Sequence, residues 1–355
     1  MKFVEYLKEQ LYRHPSAGPQ DIIKQCYQAS HGAEHLLADT SRAWNYLKSE
    51  YEEIMLQSEG CGASCCDEAL YEAISDEVAR INLAAWKKTG WPLEWLFAMF
   101  VGSASIREDA KETLVSYLEE ADAFVKDELE GWSEFLAHYK EIGMPAMHHS
   151  EGYRQAEHPA YRIVNSKCLR LIPILKAVYE KMNQKENGPL VLVIDGRAAS
   201  GKSTMGEQLK AILGADLIHM DDFFLPPALR SPERFGAPGG NVHYERFAEE
   251  VLPYVALEDA FSYRIFDCSQ MDYNGCATVT NSKVRIVEGS YSMHPAFGDY
   301  GDLRVFSQID PKEQMQRIRI RNGERLAARF EKEWIPMEEM YFDQCKVRES
   351  ADIIL

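Results

Sequence analysis

No stretch of the 355-residue sequence approaches the roughly 18 uninterrupted apolar residues of a membrane-crossing helix. The start, Met1-Lys2-Phe3-Val4-Glu5-Tyr6, also lacks the basic region and continuous apolar segment of a secretory signal, so a cytoplasmic location is expected. Basic residues are scarce: 39 Lys and Arg stand against 56 Asp and Glu, a formal charge of -17. A field of that sign repels phosphodiester backbones and anionic lipid, which argues against nucleic acid and membrane surfaces as partners. It does not oppose a small anion, which backbone dipoles and a few local cations can hold. There is no Cys-x-x-Cys pair. Of eight cysteines only Cys61, Cys65 and Cys66 cluster, beside Gly60 and Gly62, so a surface loop is the better expectation there than a soft-metal site.

What is present suits a soluble globular protein: 46% apolar residues, 11% aromatic and 27% charged. The length exceeds one ordinary domain, so two cores are expected. Up to about residue 182 apolar residues recur at three and four spacing, as in Phe3, Leu7 and Leu11, or Ile22, Ile23, Cys26 and Tyr27. Pro15 and Pro19 separate the first two helices, and Asp39-Thr40-Ser41 offers a cap for the third. The run Val78 to Leu83 could be a strand, but the domain reads as mostly helical. A helix over Cys168–Met182 and the polar segment 183–189, ending in Gly188-Pro189, place the boundary so that 1–184 is one domain and 185–355 the other. Beyond it the period changes. Leu190-Val191-Leu192-Val193-Ile194 is the continuous apolar run of a buried parallel strand, and Leu217–Met220, Val284–Val287 and Leu303–Phe306 supply more. Strands alternating with helical stretches predict an α/β sheet with helices on its faces.

The first of these strands runs into Gly196-Arg197-Ala198-Ala199-Ser200-Gly201-Lys202-Ser203-Thr204. Glycines at both ends let such a loop fold tightly, so that successive N–H groups and the following helix N-terminus face a phosphate. Lys202 is expected to bridge the β- and γ-phosphates of ATP, and Ser203 to coordinate Mg²⁺. The next strand ends in Asp221-Asp222-Phe223-Phe224, at the sheet edge where ligands bind in such folds, so one carboxylate is placed to accept a hydroxyl proton. Phe224 could stack on a planar substrate or pack in the core. Glu288, at the end of the strand Val284–Val287, occupies the position of a second Mg²⁺ ligand. Arg317, Arg319, Arg321, Arg325 and Arg329 form the strongest basic feature. At helical spacing Arg317, Arg321 and Arg325 share a face suited to phosphoryl oxygens, with Arg321 and Arg325 favoured; a solvated face paired with Glu324 and Glu331 is the alternative.

Together the glycine loop, Asp221-Asp222-Phe223-Phe224, Glu288-Gly289 and Ser350-Ala351-Asp352-Ile353-Ile354 resemble the uridine kinase family of P-loop kinases, relatives of phosphoribulokinase and bacterial pantothenate kinase. The resemblance covers about residues 188–355. It implies transfer of the ATP γ-phosphate to a hydroxyl of a small metabolite, most simply a nucleoside, with Asp221 as general base and the arginine segment as a lid. It also implies a substrate-binding hairpin at Tyr263-Arg264-Ile265-Phe266-Asp267, and substrate contacts from Asp222, His243 and Tyr244. Leu225 to His243 is longer and richer in proline than the family's loop, so pantothenate, a sugar or another alcohol stays open as acceptor. An ATP-gated regulatory protein without an acceptor is a further alternative, and a second copy of the chain is an open partner.

The N-terminal half carries His31-Gly32-Ala33-Glu34-His35, the H-x-x-E-H spacing of an inverted zinc-peptidase motif. His148, His149 or Glu151 could supply a third ligand. The alternatives are histidines that hydrogen-bond within a helical domain, or a polar cleft for a small molecule.

Overall fold

The computed structural model describes residues 2–33, 39–58, 69–105 and 107–355. Packing divides the chain between Leu169 and Arg170.

The first unit runs α1 (Phe3–Arg13), α2 (Pro19–His31), α3 (Thr40–Ser58), β1 (Tyr71–Ala73), β2 (Val78–Asn82), α4 (Leu83–Thr89), α5 (Leu93–Gly102), α6 (Ala110–Val125), α7 (Trp132–Glu141), α8 (Glu151–Glu157) and β3 (Tyr161–Asn165). α2 begins at Pro19, where a missing N–H costs nothing, and Asp21 reaches back to the Gly18 N–H at 3.2 Å. Asp39 caps α3 by accepting from Arg42 N at 3.1 Å. α6 packs against α1 and α2, burying Phe3, Leu7, Ile22, Leu114 and Leu118 in one core. The run at Val78 is the central strand of an antiparallel sheet ordered β1-β2-β3. Its β-branched Val78 and Ile81 fit a pleated surface, and the helices around it cover both faces.

The second unit continues with α9 (Ile172–Gln184), β4 (Leu190–Gly196), α10 (Lys202–Leu213), β5 (Asp216–His219), α11 (Pro232–Phe235), α12 (Tyr244–Glu250), β6 (Phe261–Asp267), β7 (Asp272–Val279), β8 (Val284–Glu288), β9 (Leu303–Ser307), α13 (Pro311–Arg329), α14 (Ile335–Cys345) and β10 (Ile353–Ile354). Its parallel sheet is ordered β10-β9-β4-β8-β5. Every residue of the central strand β4 is buried, as its uninterrupted apolar run requires. β6 and β7 pair as a separate antiparallel hairpin.

The helix before the linker falls on the other side of the division from the one the sequence suggested. The segment begins as a 3₁₀ turn, Ser166–Leu171, and α9 packs on β4 and β9. Its buried Ile174, Leu175 and Val178 cover one sheet face, so packing joins residues 170–184 to the sheet although the polar linker follows them.

α13 is interrupted at Gly323, whose φ of 74° and ψ of 167° lie outside helical space. That backbone is open to glycine and strained for other residues. The single arginine face expected from spacing therefore ends at Asn322.

Candidate active site

The turn from β4 to α10 carries the glycine loop. Gly196 adopts φ 137°, and a Cβ there would stand 2.0 Å from the Ser307 carbonyl oxygen on β9, so the strand pair can close only on glycine. Gly201, at φ 96°, turns the chain into α10. The preceding Asp195 is fully buried. Its carboxylate accepts from Gly196 N (2.6 Å), Tyr291 N (3.1 Å), Met293 N (2.9 Å) and Tyr341 Oη (2.8 Å). One side chain thus ties the loop's start to the segment after β8 and to α14.

The loop is held from outside by side chains that no motif announces. Arg197 forks onto Glu339 at 2.7 and 2.8 Å. Gln314 Nε2 donates to Ala198 O at 3.1 Å, and Arg317 Nη1 donates to Ala199 O at 3.2 Å. Buried Glu338 accepts from Ala198 N at 2.9 Å and from Ser290 Oγ at 2.7 Å. Burial pushes its pKa up, opposed by the charge of Lys202. Lys202 itself is buried and donates to Gly196 O (2.7 Å) and Arg197 O (2.9 Å).

A cavity of about 1230 Å³ opens over this loop. Of the phosphate-loop residues, Ala198, Ala199, Gly201, Lys202, Ser203 and Thr204 line it. Gly196 contributes its carbonyl to Lys202 instead, and Ser200 lines a neighbouring pocket of about 480 Å³ with Arg170 and Arg317. The Ser200 hydroxyl is buried with no partner among the described residues.

Asp221 faces the large cavity from the 3₁₀ turn that follows β5. Solvent reaches the carboxylate through the cavity mouth, while the surrounding protein displaces enough bulk water to raise its pKa. Glu288 adds to that rise and Lys202 opposes it. Asp222 turns the other way: its carboxylate accepts from Tyr263 Oη at 3.0 Å, and its carbonyl receives Arg246. Adjacent residues in a tight turn point in different directions, so the sequence pair yields one cavity carboxylate.

Ser203 Oγ donates to Glu288 Oε2 at 3.2 Å, and His219 Nδ1 lies 2.6 Å from Glu288 Oε1. The hydrogen bond to Glu288 raises the pKa of His219. A hydroxyl and a carboxylate side by side are the hard oxygen donors Mg²⁺ prefers, and two protein ligands suffice when phosphate oxygens and water complete the octahedron. Among the described residues no group of three metal-ligating side chains gathers, so any larger protein cage is absent there.

Several expected substrate residues lie elsewhere. His243 stands at the start of α12 with its Nδ1 buried and unpartnered among the described residues, and burial lowers its pKa. Tyr244 stacks on His294, 4.9 Å between ring centroids, under the Arg234 guanidinium. Arg264 pairs with Glu250, its Nε 2.7 Å from the carboxylate. None of the three lines the cavity. Phe224 does, with Phe235, Tyr291 and Trp334, which sequence reasoning missed because they sit in loops and a helix end without a motif. Of the arginines, Arg317, Arg321 and Arg329 line it, while Arg325 is exposed and outside the lining, redirected by the break at Gly323.

In the first unit, Glu34 and His35 lie outside the described residues. His31 Nδ1 is 2.8 Å from Ser30 Oγ, and its ring stacks on Tyr27. Both His149 nitrogens are engaged, with Asp21 and with Tyr161.

The cradle, its strand and its helix decide the architecture. The second unit is a P-loop α/β fold. No family model matches the chain, and no curated protein matches it. Solved structures do. A possible uridine kinase from Bacillus stearothermophilus is 19% identical, with 52% of this chain and 99% of that one covered at a TM-score of 0.39. A protein named as a fructose transport system kinase from Silicibacter sp. TM1040 is 23% identical over 52% of this chain and 98% of its own, TM-score 0.44. D-glycerate 3-kinase from Cryptococcus neoformans is 14% identical over 49% and 88%, TM-score 0.36. Each of these structural neighbours is named as a kinase. No helix among the described residues is long and apolar enough to cross a membrane.

Proposed function

We propose that the second unit transfers the γ-phosphate of ATP to a hydroxyl group of a small metabolite, with a nucleoside as the favoured acceptor. One observation carries the reading: Lys202, Ser203, Glu288 and Asp221 line a single cavity, so a phosphate cradle and a candidate base open onto the same space. The loop amides and Lys202 hold the nucleotide phosphates once Lys202 exchanges its loop carbonyls for phosphate oxygens. Ser203 and Glu288 hold Mg²⁺, which when bound neutralises phosphate charge. Asp221 takes the proton of the acceptor hydroxyl, and its upward pKa shift makes it a stronger base than an ordinary aspartate. Arg321 and Arg329, on the cavity wall, supply charge to the transferring group. Phe224, Phe235 and Trp334 all line the cavity and offer aromatic surface suited to a planar base, which supports a nucleoside over pantothenate or a sugar.

The test is ADP release with ATP, Mg²⁺ and a panel of nucleosides, sugars and pantothenate. Acceptor-dependent turnover is expected, with loss of at least about 1000-fold in Lys202→Ala and Asp221→Asn. ATP hydrolysis indifferent to every acceptor would favour a nucleotide-gated switch, and full activity in Lys202→Ala would remove the mechanism.

A further inference from the structure

α14 carries a negative charge to the loop that a polyphosphate would also occupy. Glu338, in the first turn of α14, is 6% exposed, and its Oε2 accepts from Ala198 N at 2.9 Å. Its Oε1 accepts from Ser290 Oγ at 2.7 Å. Ala198, Lys202, Ser203 and Glu338 line one cavity, so this carboxylate and any phosphate on the loop share the same space. A backbone N–H has one proton to give. While Glu338 takes it, a phosphate oxygen does not.

The carboxylate is also held without a salt bridge among the described residues. Lys202, whose charge opposes the rise that burial gives the Glu338 pKa, donates instead to Gly196 O and Arg197 O. Both groups that Glu338 would release have somewhere else to go. Ser290 Oγ lies 3.1 Å from Gly196 O, an acceptor that Lys202 vacates when it turns to phosphate, and Ala198 N is left to the phosphate itself. Withdrawal therefore leaves no buried donor unpaired. The neighbouring Glu339, outside the cavity lining, keeps Arg197 at 2.7 and 2.8 Å, so α14 stays on the loop when the Glu338 side chain turns away. Immediately before α14 the helix widens into a π-helical segment, Phe330–Trp334, a form common at functional sites.

We propose that Glu338 is a built-in competitor for the phosphate cradle: without nucleotide its carboxylate occupies the Ala198 amide, and ATP binds only as that side chain swings off the loop. The inference rests on the reading of this loop as an ATP phosphate site and adds a gate to it.

The experiment is isothermal titration calorimetry of the full chain with the Mg²⁺ complex of a non-hydrolysable ATP analogue, in wild type, Glu338→Gln, Glu338→Ala and Glu339→Gln. Glutamine keeps the shape: its Oε1 accepts from Ala198 N, and its Nε2 donates to Ser290 Oγ, which turns its own proton to Gly196 O. Removing the like charge should tighten analogue binding at least about tenfold in Glu338→Gln, and Glu338→Ala should tighten it too. Glu339→Gln weakens the outer grip but leaves the competitor in place, so it should not tighten binding. A carboxylate that only shaped the loop would give the opposite sign. Binding no tighter than wild type in both Glu338 variants overturns the gate, as does equal tightening in Glu339→Gln. Analogue binding that vanishes in Lys202→Ala, while Glu338→Gln matches wild type, keeps the phosphate loop and removes the gate alone. Binding by none of the proteins, Glu338→Gln included, removes both.

Discussion

Asp195 offers the sharpest test of how the phosphate loop is held. Four groups donate to its two oxygens: Gly196 N and Tyr291 N to Oδ1, Met293 N and Tyr341 Oη to Oδ2. Burial pushes the carboxyl pKa up, and the donors and Lys202 pull it down. Three of the four are N–H groups that can only donate, so a proton on the carboxyl would have at best the tyrosine oxygen to receive it. The ionised form therefore suits this arrangement, and Asp195→Asn replaces one accepting oxygen by an NH₂ group that faces donors. The amide oxygen can serve two of the four. The other two lose their acceptor, unless Tyr341 rotates to accept. At about 1–3 kcal/mol for each orphaned donor, the cost is about 2–6 kcal/mol, or about 1–3 if the tyrosine adapts. Guanidinium unfolding followed by tryptophan fluorescence and by nucleotide-dependent protection would measure it, because the loss should fall on the transition that ATP stabilises. Nucleotide affinity should fall as well, since Gly196 begins the cradle. An Asn variant with an unchanged unfolding midpoint and an unchanged ATP affinity would refute the reasoning and mean that the carboxyl is protonated and donating.

Other expectations are briefer. Arg321→Ala should lower kcat at least about tenfold, whereas Arg325→Ala should stay within about twofold, because only Arg321 lines the cavity; equal losses would restore a continuous arginine face across Gly323. Burial, opposed by the hydrogen bond to Asp21 and helped by the charges of Lys24 and Arg80, lowers the His149 pKa to about 4, while hydrogen bonds to Glu72 and Glu157 raise that of His14. NMR titration of the imidazole carbons should then show His149 neutral down to about pH 4 and His14 charging above pH 6.5. The depressed His149 pKa contributes stability above pH 6.5 that is lost progressively as pH falls towards 4, when the unfolded chain takes up the proton first. A His149 midpoint near 6.5 would contradict its burial against Tyr153 and Tyr161.

The parts of the site that sequence makes legible are those whose chemistry is local. A buried apolar strand, a glycine turn and a Lys-Ser pair are contiguous in the chain, and the structure places them as β4, the loop and α10. Asp221 and Glu288 were legible because strand ends converge on one sheet edge. The divergence of Asp222 from Asp221 is not legible because adjacency along a chain does not fix which way a side chain turns, nor that of Arg325 from Arg321 because one glycine interrupts a helical period. Glu338 and Glu339 had no signal at all. They grip a loop some 140 positions away, a separation at which spacing conveys nothing. The partners of buried Arg80 in the first unit are hidden for the same reason: Gln10 and Gln28 lie 70 and 52 positions off.

The assignment of α9 to the sheet has a practical corollary. A truncated protein starting at the polar linker would strip Ile174, Leu175 and Val178 from the strands they shield, leaving an oily sheet face wet and prone to self-association. Shortened versions intended to behave as independent catalysts should retain the chain from the 3₁₀ turn at Ser166 onward, so that this helix travels with the strands it covers.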